Sequence, residues 1–171
     1  MISIRPGTPA DAPGVAACVD RVARERRYLA IVEGFAIDET ARFITRLLDA
    51  GGVHLVAEED DGEIVGACDI APLATEGMRH VGRLGIAVLP GYRRRGLGRQ
   101  LLREAVDRSF AAGLGRVELE VFASNTEAIQ LYESEGFRRE GCRRAARRLD
   151  GREDDLLLYG LLAGEWTGGV A

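Results

Sequence analysis

Lysine is missing from this chain: all 23 of its basic residues are arginine. The absence excludes a P-loop, whose GxxxxGK[ST] signature depends on a lysine that reaches the outer phosphates. Asparagine occurs once, at Asn125. We read this composition as the codon bias of a GC-rich genome rather than as function. Cysteine is scarce and odd in number, with Cys18, Cys68 and Cys142 widely spaced, so neither a disulfide framework nor a CxxC metal pair is present. The two histidines, His54 and His80, do not complete a zinc set with them, and no metal is expected. No apolar run approaches the roughly 18 residues of a membrane span. The opening MISIRPGTPADAPG lacks the apolar core of a signal peptide. The expected location is the cytoplasm, without a membrane partner. A basic surplus is lacking too: the net charge is −4, so no nucleic-acid partner is expected.

What the chain does have is 46% apolar and 29% charged residues over a length of 171, enough for a folded domain with a core. One domain over residues 1–171 is expected, with residues 163–171 a flexible glycine-rich tail in which Trp166 is a candidate for docking. The most informative stretch is GIAVLPGYRRRGLGRQLL, residues 85–102. An apolar run ends in Pro90-Gly91, an arginine cluster follows (Arg93, Arg94, Arg95), then Gly96-Leu97-Gly98, then a helix opening at Arg99. This reads as strand, glycine turn, helix. Such a turn gathers unpaired backbone N–H groups at the positive end of a helix dipole, where an anion is favoured. The dinucleotide fingerprint is excluded, because its third glycine position is Leu101.

The rest follows in order. Residues 2–5 alternate as a first strand, and Thr8 starts a helix that runs to Arg24, with Val15, Val19 and Val22 on one side. Residues 24–36 read as a loop with helical turns. Asp38 is expected to cap a second helix through Ala50, with Phe43, Leu47 and Leu48 as its apolar stripe and Gly51-Gly52 as its stop. Asp61-Gly62 between two apolar runs signals a hairpin. Residues 72–78 are a loop, and residues 80–89 form the strand that leads into the glycine turn. The third helix turns Leu97, Leu101, Ala105 and Val106 inward. A strand over residues 117–122, a short helix from Asn125, and two strands around Asp150-Gly151 complete a β-α-α-β-β-β-α-β-α-β-β order. The fold class is α/β, a mixed sheet with helices on both faces.

Two blocks then carry a resemblance. Arg93-Arg94-Arg95-Gly96-Leu97-Gly98 fits the (Q/R)xxG-x-(G/A) signature of the GNAT (Gcn5-related N-acetyltransferase) family. Asn125, Ala128, Leu131-Tyr132 and Gly136-Phe137 resemble the family's second block, and the second half of the chain is similar to the type that acetylates the N-terminus of ribosomal protein S18. The resemblance implies a mostly antiparallel seven-stranded sheet whose fourth and fifth strands splay into a V that holds acetyl-CoA. It implies acetyl transfer to a primary amine, on a small molecule or a protein N-terminus, by direct attack. A non-catalytic acyl-CoA-binding module is the alternative, since a fold can keep its cleft without chemistry. Acetyl-CoA and an amine acceptor are the implied partners, and a homodimer is compatible with them.

The resemblance assigns roles residue by residue. Pyrophosphate is expected on the backbone N–H groups from Arg94 to Arg99, with the arginines adding attraction. Pantetheine is expected to pair with the backbone of Ile86, Ala87 and Val88 as an added strand, which would also bind the acetyl carbonyl. Asn125 reads as a helix N-cap and, by the resemblance, as a cofactor contact. Tyr132 reads either as a tyrosine packed on the sheet or as the proton donor to the departing thiolate. Glu118 and Glu120 share one face of a strand that should be apolar, which points to a wet cleft, and Glu120 is the candidate base. His80 is an alternative assistant in deprotonation. The acceptor floor is expected from residues 24–36, 72–78 and the last hairpin.

Overall fold

In the computed structural model, which describes residues 1–168, the elements follow the order read from the sequence. They are β1 (Ile2–Pro6), α1 (Ala12–Arg24), α2 (Ile37–Asp49), β2 (Val53–Glu59), β3 (Ile64–Pro72), β4 (Val81–Val88), α3 (Leu97–Ala111), β5 (Arg116–Phe122), α4 (Thr126–Ser134), β6 (Arg138–Leu149) and β7 (Arg152–Leu162). The strands form one seven-stranded sheet in the order β1-β2-β3-β4-β5-β7-β6. Every neighbouring pair is antiparallel except β4 and β5, which run parallel. Helices cover both faces of this sheet, α1 with α2 on one and α3 on the other.

Strand register sorts the side chains between those faces. A Cβ on Gly66 would meet Leu101 of α3 at 3.1 Å, and one on Gly82 would meet Leu114 just beyond α3 at 2.6 Å. From Gly66 onward the even-numbered positions of β3, and those of β4, therefore face α3, whereas Ile64, before the register shift opposite Ala57 and Glu58, lies against Gly14 of α1. The odd-numbered ones, Asp69 and Ala71 on β3 with Arg83 and Gly85 on β4, face the α1 side, and Arg83 is in register with Glu118 of β5. The apolar core follows: Leu101, Leu102, Ala105, Val106, Cys68, Ile70, Val117, Leu119 and Leu161 are buried together.

Most turns obey local chemistry. Gly62 at the β2–β3 hairpin has a φ of +88°, and Asp150 and Gly151 have φ of +52° and +73°, the left-handed pair that a two-residue hairpin turn requires. Three readings change. Asp38 does not cap α2; it stands in the first turn, and Glu39 accepts from the Ala36 N–H at 3.3 Å instead. The buried stripe of α2 is Thr40, Ile44 and Leu47, whereas Phe43 and Leu48 are 40% and 37% exposed. The expected flexible tail over residues 163–171 does not start at Ala163: Ala163–Glu165 form a 3-10 turn and the Trp166 indole N–H donates to Asp107 of α3 at 2.6 Å, while residues 169–171 lie outside the described residues. Among the described residues no helix is long and apolar enough to cross a membrane.

Candidate active site

The parallel pair β4–β5 is matched at only three positions, Val81 with Arg116, Gly82 with Val117 and Arg83 with Glu118. Beyond them the strands diverge, although β4 continues to Val88 and β5 to Phe122. On its other edge β4 stays paired with β3 through Val88. The Leu89 N–H bonds the Val65 carbonyl of β3, so alternation turns the backbone groups of Ile86 and Val88 into the gap and those of Ala87 toward β3. A cavity of about 530 Å³ fills the gap, lined among others by Gly85, Ile86, Val88, Glu120, Asn125 and Tyr132. Backbone groups left unpaired inside a sheet demand a partner, and an extended chain in the gap would supply one.

The arginine-glycine turn closes one end of this cavity. Gly96 sits at the start of α3 with a φ of +84°, and Arg94 also adopts a left-handed φ, +58°. The Gln100 N–H is the first to bond back into the helix, at 3.0 Å to the Gly96 carbonyl. The N–H groups of Leu97, Gly98 and Arg99 thus stand free of intrahelical partners at the positive end of the dipole. A Cβ on Gly96 would meet nothing within 4 Å; glycine serves the backbone angle there, not a crowded approach.

The arginines divide into separate tasks. Arg93 lines the cavity with its guanidinium already engaged, by Glu25 at 2.8 and 2.5 Å, by the Val88 carbonyl at 2.7 Å and by the Tyr28 ring at 4.6 Å. Arg99 lines it too, but pairs with the buried Glu135 at 3.0 Å. Arg94 lines the cavity without an ion pair among the described residues. The side chains of Arg95 and Leu97 do not line it; Arg95 is exposed and Leu97 is core.

Tyr132 and Glu120 reach the cavity from different elements. Tyr132, on α4, is buried, its ring 5.9 Å from that of Phe137, and burial pushes its phenol pKa upward, with the nearby Cys68 adding to the effect. Asn125 caps that helix as read, accepting the Ala128 N–H at 3.3 Å, and it also lines the cavity. Glu120 lies on β5, on the same face as Glu118, and pairs with Arg143 of β6 at 2.9 Å. A second, smaller cavity of about 110 Å³ shares Glu120 and is lined also by Arg83, Arg116, Glu118, Glu140 and Arg143. His80 is exposed, precedes β4 at the closed end of the gap and does not line the cavity. The segment 72–78 contributes no lining residue, whereas the α1–α2 connection contributes Tyr28 and Leu29. Sequence reasoning passed over Asp69, an acid inside the apolar run of β3 whose carboxylate oxygens lie 3.3 Å from where a Cβ on Gly85 would stand. A charge breaking the run Ile64-Val65-Gly66-Ala67-Cys68 was the available signal.

A family model described as the acetyltransferase (GNAT) family matches residues 20–137. The chain belongs to this family. Its GNAT relatives include the N-alpha-acetyltransferase RimI of Mycobacterium tuberculosis, 41% identical over 100 residues that cover 58% of this chain and 61% of the relative. They also include the ribosomal protein bS18-alanine N-acetyltransferase of Escherichia coli, 47% identical over 74 residues that cover 43% of this chain and 50% of the relative. The chain thus matches between half and two thirds of the length of either. A solved GNAT acetyltransferase from Streptococcus pneumoniae superimposes with a TM-score of 0.88 at 29% identity, covering 95% of this chain and 99% of that one. The GNAT fold expected from the two sequence blocks, with its fourth and fifth strands splayed, is the fold observed.

Proposed function

We propose that this chain, acting as one domain, transfers an acetyl group from acetyl-CoA to a primary amine. The observation that carries the reading is the fork. Its β4 edge, open at Ile86 and at the Val88 N–H while Arg93 holds the Val88 carbonyl, suits a pantetheine chain, and the free N–H groups at the start of α3 suit a pyrophosphate. The cavity of about 530 Å³ joins the two. Arg94 adds attraction for phosphate at its mouth. A thioester carbonyl beside the Ile86 or Val88 N–H would be polarised by it.

On this reading Glu120 meets the acceptor ammonium at the rim and takes its first proton, directly or through water. The amine then attacks the thioester carbonyl carbon. The C–S bond breaks with its electron pair on sulfur, and the Tyr132 phenol, kept protonated by its burial, protonates the thiolate. The activities named for the two relatives make a peptide α-amine the first acceptor to test. The test is release of free CoA thiol from acetyl-CoA over a panel of peptides, amino acids and polyamines. Amine-dependent release is the expected result. Tight acetyl-CoA binding without such release from any amine would instead support a binding module.

A further inference from the structure

Resting on the transferase reading, we propose that Asp69 is a second proton acceptor of the site, removing the proton that the acceptor nitrogen carries after it has attacked the thioester. The reaction needs such a group. An ammonium that ends as an amide nitrogen gives up two protons, and the departing sulfur takes up one. Glu120 accounts for the first. Once the C–N bond has formed, the nitrogen is cationic, and loss of a proton to an Asp69 oxygen leaves the bonding pair on nitrogen. The C–S bond then breaks, Tyr132 protonates the sulfur and regains a proton from solvent, and one proton in total is released to water.

The placement of Asp69 follows from register. Asp69 faces Gly85 across β3 and β4. Gly85 lines the cavity at the point where the fork opens. Its missing side chain leaves the Asp69 carboxylate lying directly over the β4 backbone, 3.3 Å from where a Cβ would stand. Arg83, two residues earlier on β4, shares that face and reaches Glu118 at 3.0 Å. Asp69, Gly85, Glu118 and Glu120 therefore belong to one face of the sheet, while Cys68 and Tyr132 meet on the other. The proton donor stands on one side of the thioester slot and both carboxylates on the opposite side, where the nucleophile must approach.

The surroundings of Asp69 suit a proton acceptor better than a structural ion. On its face, β2 presents His54, in register with it, buried, with both ring nitrogens unbonded and its pKa lowered by burial. β4 presents Arg83, engaged by Glu118, and β5 presents Glu118 and Glu120, engaged by Arg83, Arg116 and Arg143. α1 presents the buried Cys18, and the buried residues of α2 include no titratable group. None of these compensates Asp69: burial alone raises its pKa to about 7. A partly accessible carboxylate without a partner costs stability, and a fold retains such a cost most readily where chemistry uses it.

The experiment compares Asp69→Asn and Glu120→Gln with the wild type, using the peptide amine that the wild type accepts best. Rates are read from about pH 5.5 to about pH 9, acetyl-CoA affinity by calorimetry and melting at both ends of the range. Asp69→Asn is expected to lower kcat by about 10²-fold or more, with acetyl-CoA affinity within about twofold, because Asp69 lies outside the slot proper. It should erase the ascending limb near neutrality, and high pH should not rescue it. The native carboxyl binds its proton above its unfolded value, so wild-type stability falls as pH rises from about 4 through about 7. The asparagine variant should escape that fall and melt higher than the wild type at about pH 8. A folded Asp69→Asn enzyme with wild-type kcat and an unchanged profile overturns the inference and leaves the transferase reading intact. So does a variant that melts lower at high pH, which would make Asp69 a structural group. A wild type that turns over no amine overturns both.

Discussion

Tyr132 and Glu120 can be separated by what each substitution leaves behind. Tyr132→Phe keeps the ring, its packing on Phe137 and nearly all of its volume, so the melting temperature should hardly move. Turnover should fall by roughly 10²–10⁴, the range for one proton-transfer group, with acetyl-CoA affinity retained. Steady-state kinetics beside calorimetry reads both. A destabilised variant with normal turnover would make Tyr132 a packing residue only. Glu120→Gln removes a charge that Arg143 already engages. Its activity should drop most at neutral pH and recover partly as pH rises and the amine arrives already deprotonated; a flat ratio across pH would remove Glu120 from the proton path. Both residues stood out as candidates in the sequence because they belong to a local block of strand, cap and helix. Asp69 was not. Its significance rests on a pairing with Gly85, 16 residues away, that only the β3–β4 register creates.

At the scale of elements, the strand, glycine turn and helix from β4 to α3 form the part most open to direct test. Gly96→Glu should fail in two ways, by demanding a left-handed φ from a residue with a Cβ and by placing a carboxylate among N–H groups meant for an anion. Acetyl-CoA affinity should fall by about tenfold or more in a folded variant, equivalent to roughly 1.4 kcal/mol; unchanged calorimetric affinity would remove the turn from the phosphate site. Arg94→Ala should weaken acetyl-CoA more than Arg95→Ala, since Arg94 lines the cavity and Arg95 does not. The same measurement repeated at high salt should narrow the difference. These elements were legible because turn chemistry is local. The second helix was misread for the opposite reason. Phe43, Ile44, Leu47 and Leu48 are all apolar, and a rotation of one residue, about 100°, decides which pair is buried. That choice is made by packing of α2 on α1 and β2, which composition does not reveal. The partners of the arginine cluster were hidden likewise: Glu25 lies 68 residues from Arg93, and Glu135 is on the loop after α4.

Across the whole molecule, the wall proposed to face the acceptor is built by segments remote in sequence. Arg26 grips Asp150 of the last hairpin at 2.9 and 2.7 Å, and Arg147 donates to the Arg27 and Leu29 carbonyls at 2.8 and 3.4 Å while lying over the Phe122 ring. The β6–β7 turn and the α1–α2 connection are thereby tied into one wall beside Tyr28 and Leu29. Asp150→Asn removes the charge but keeps a residue that tolerates the turn's left-handed φ of +52°, so it should change the melting point little, because exposed ion pairs contribute about 0–1 kcal/mol. It should raise KM for the amine several-fold while leaving acetyl-CoA affinity alone, and an unchanged KM would detach this wall from acceptor binding. The fork between β4 and β5 has a further consequence. On the proposed reading its backbone edge and helix terminus address the pantetheine and phosphate portions of the donor, and the spent carrier keeps both after the acetyl group has gone. The slot that makes the first half of a turnover favourable therefore resists the last half. Free CoA should compete with its own acetylated form for the same groups, so the throughput of this protein would follow the ratio of charged to discharged carrier around it rather than the amount of donor alone.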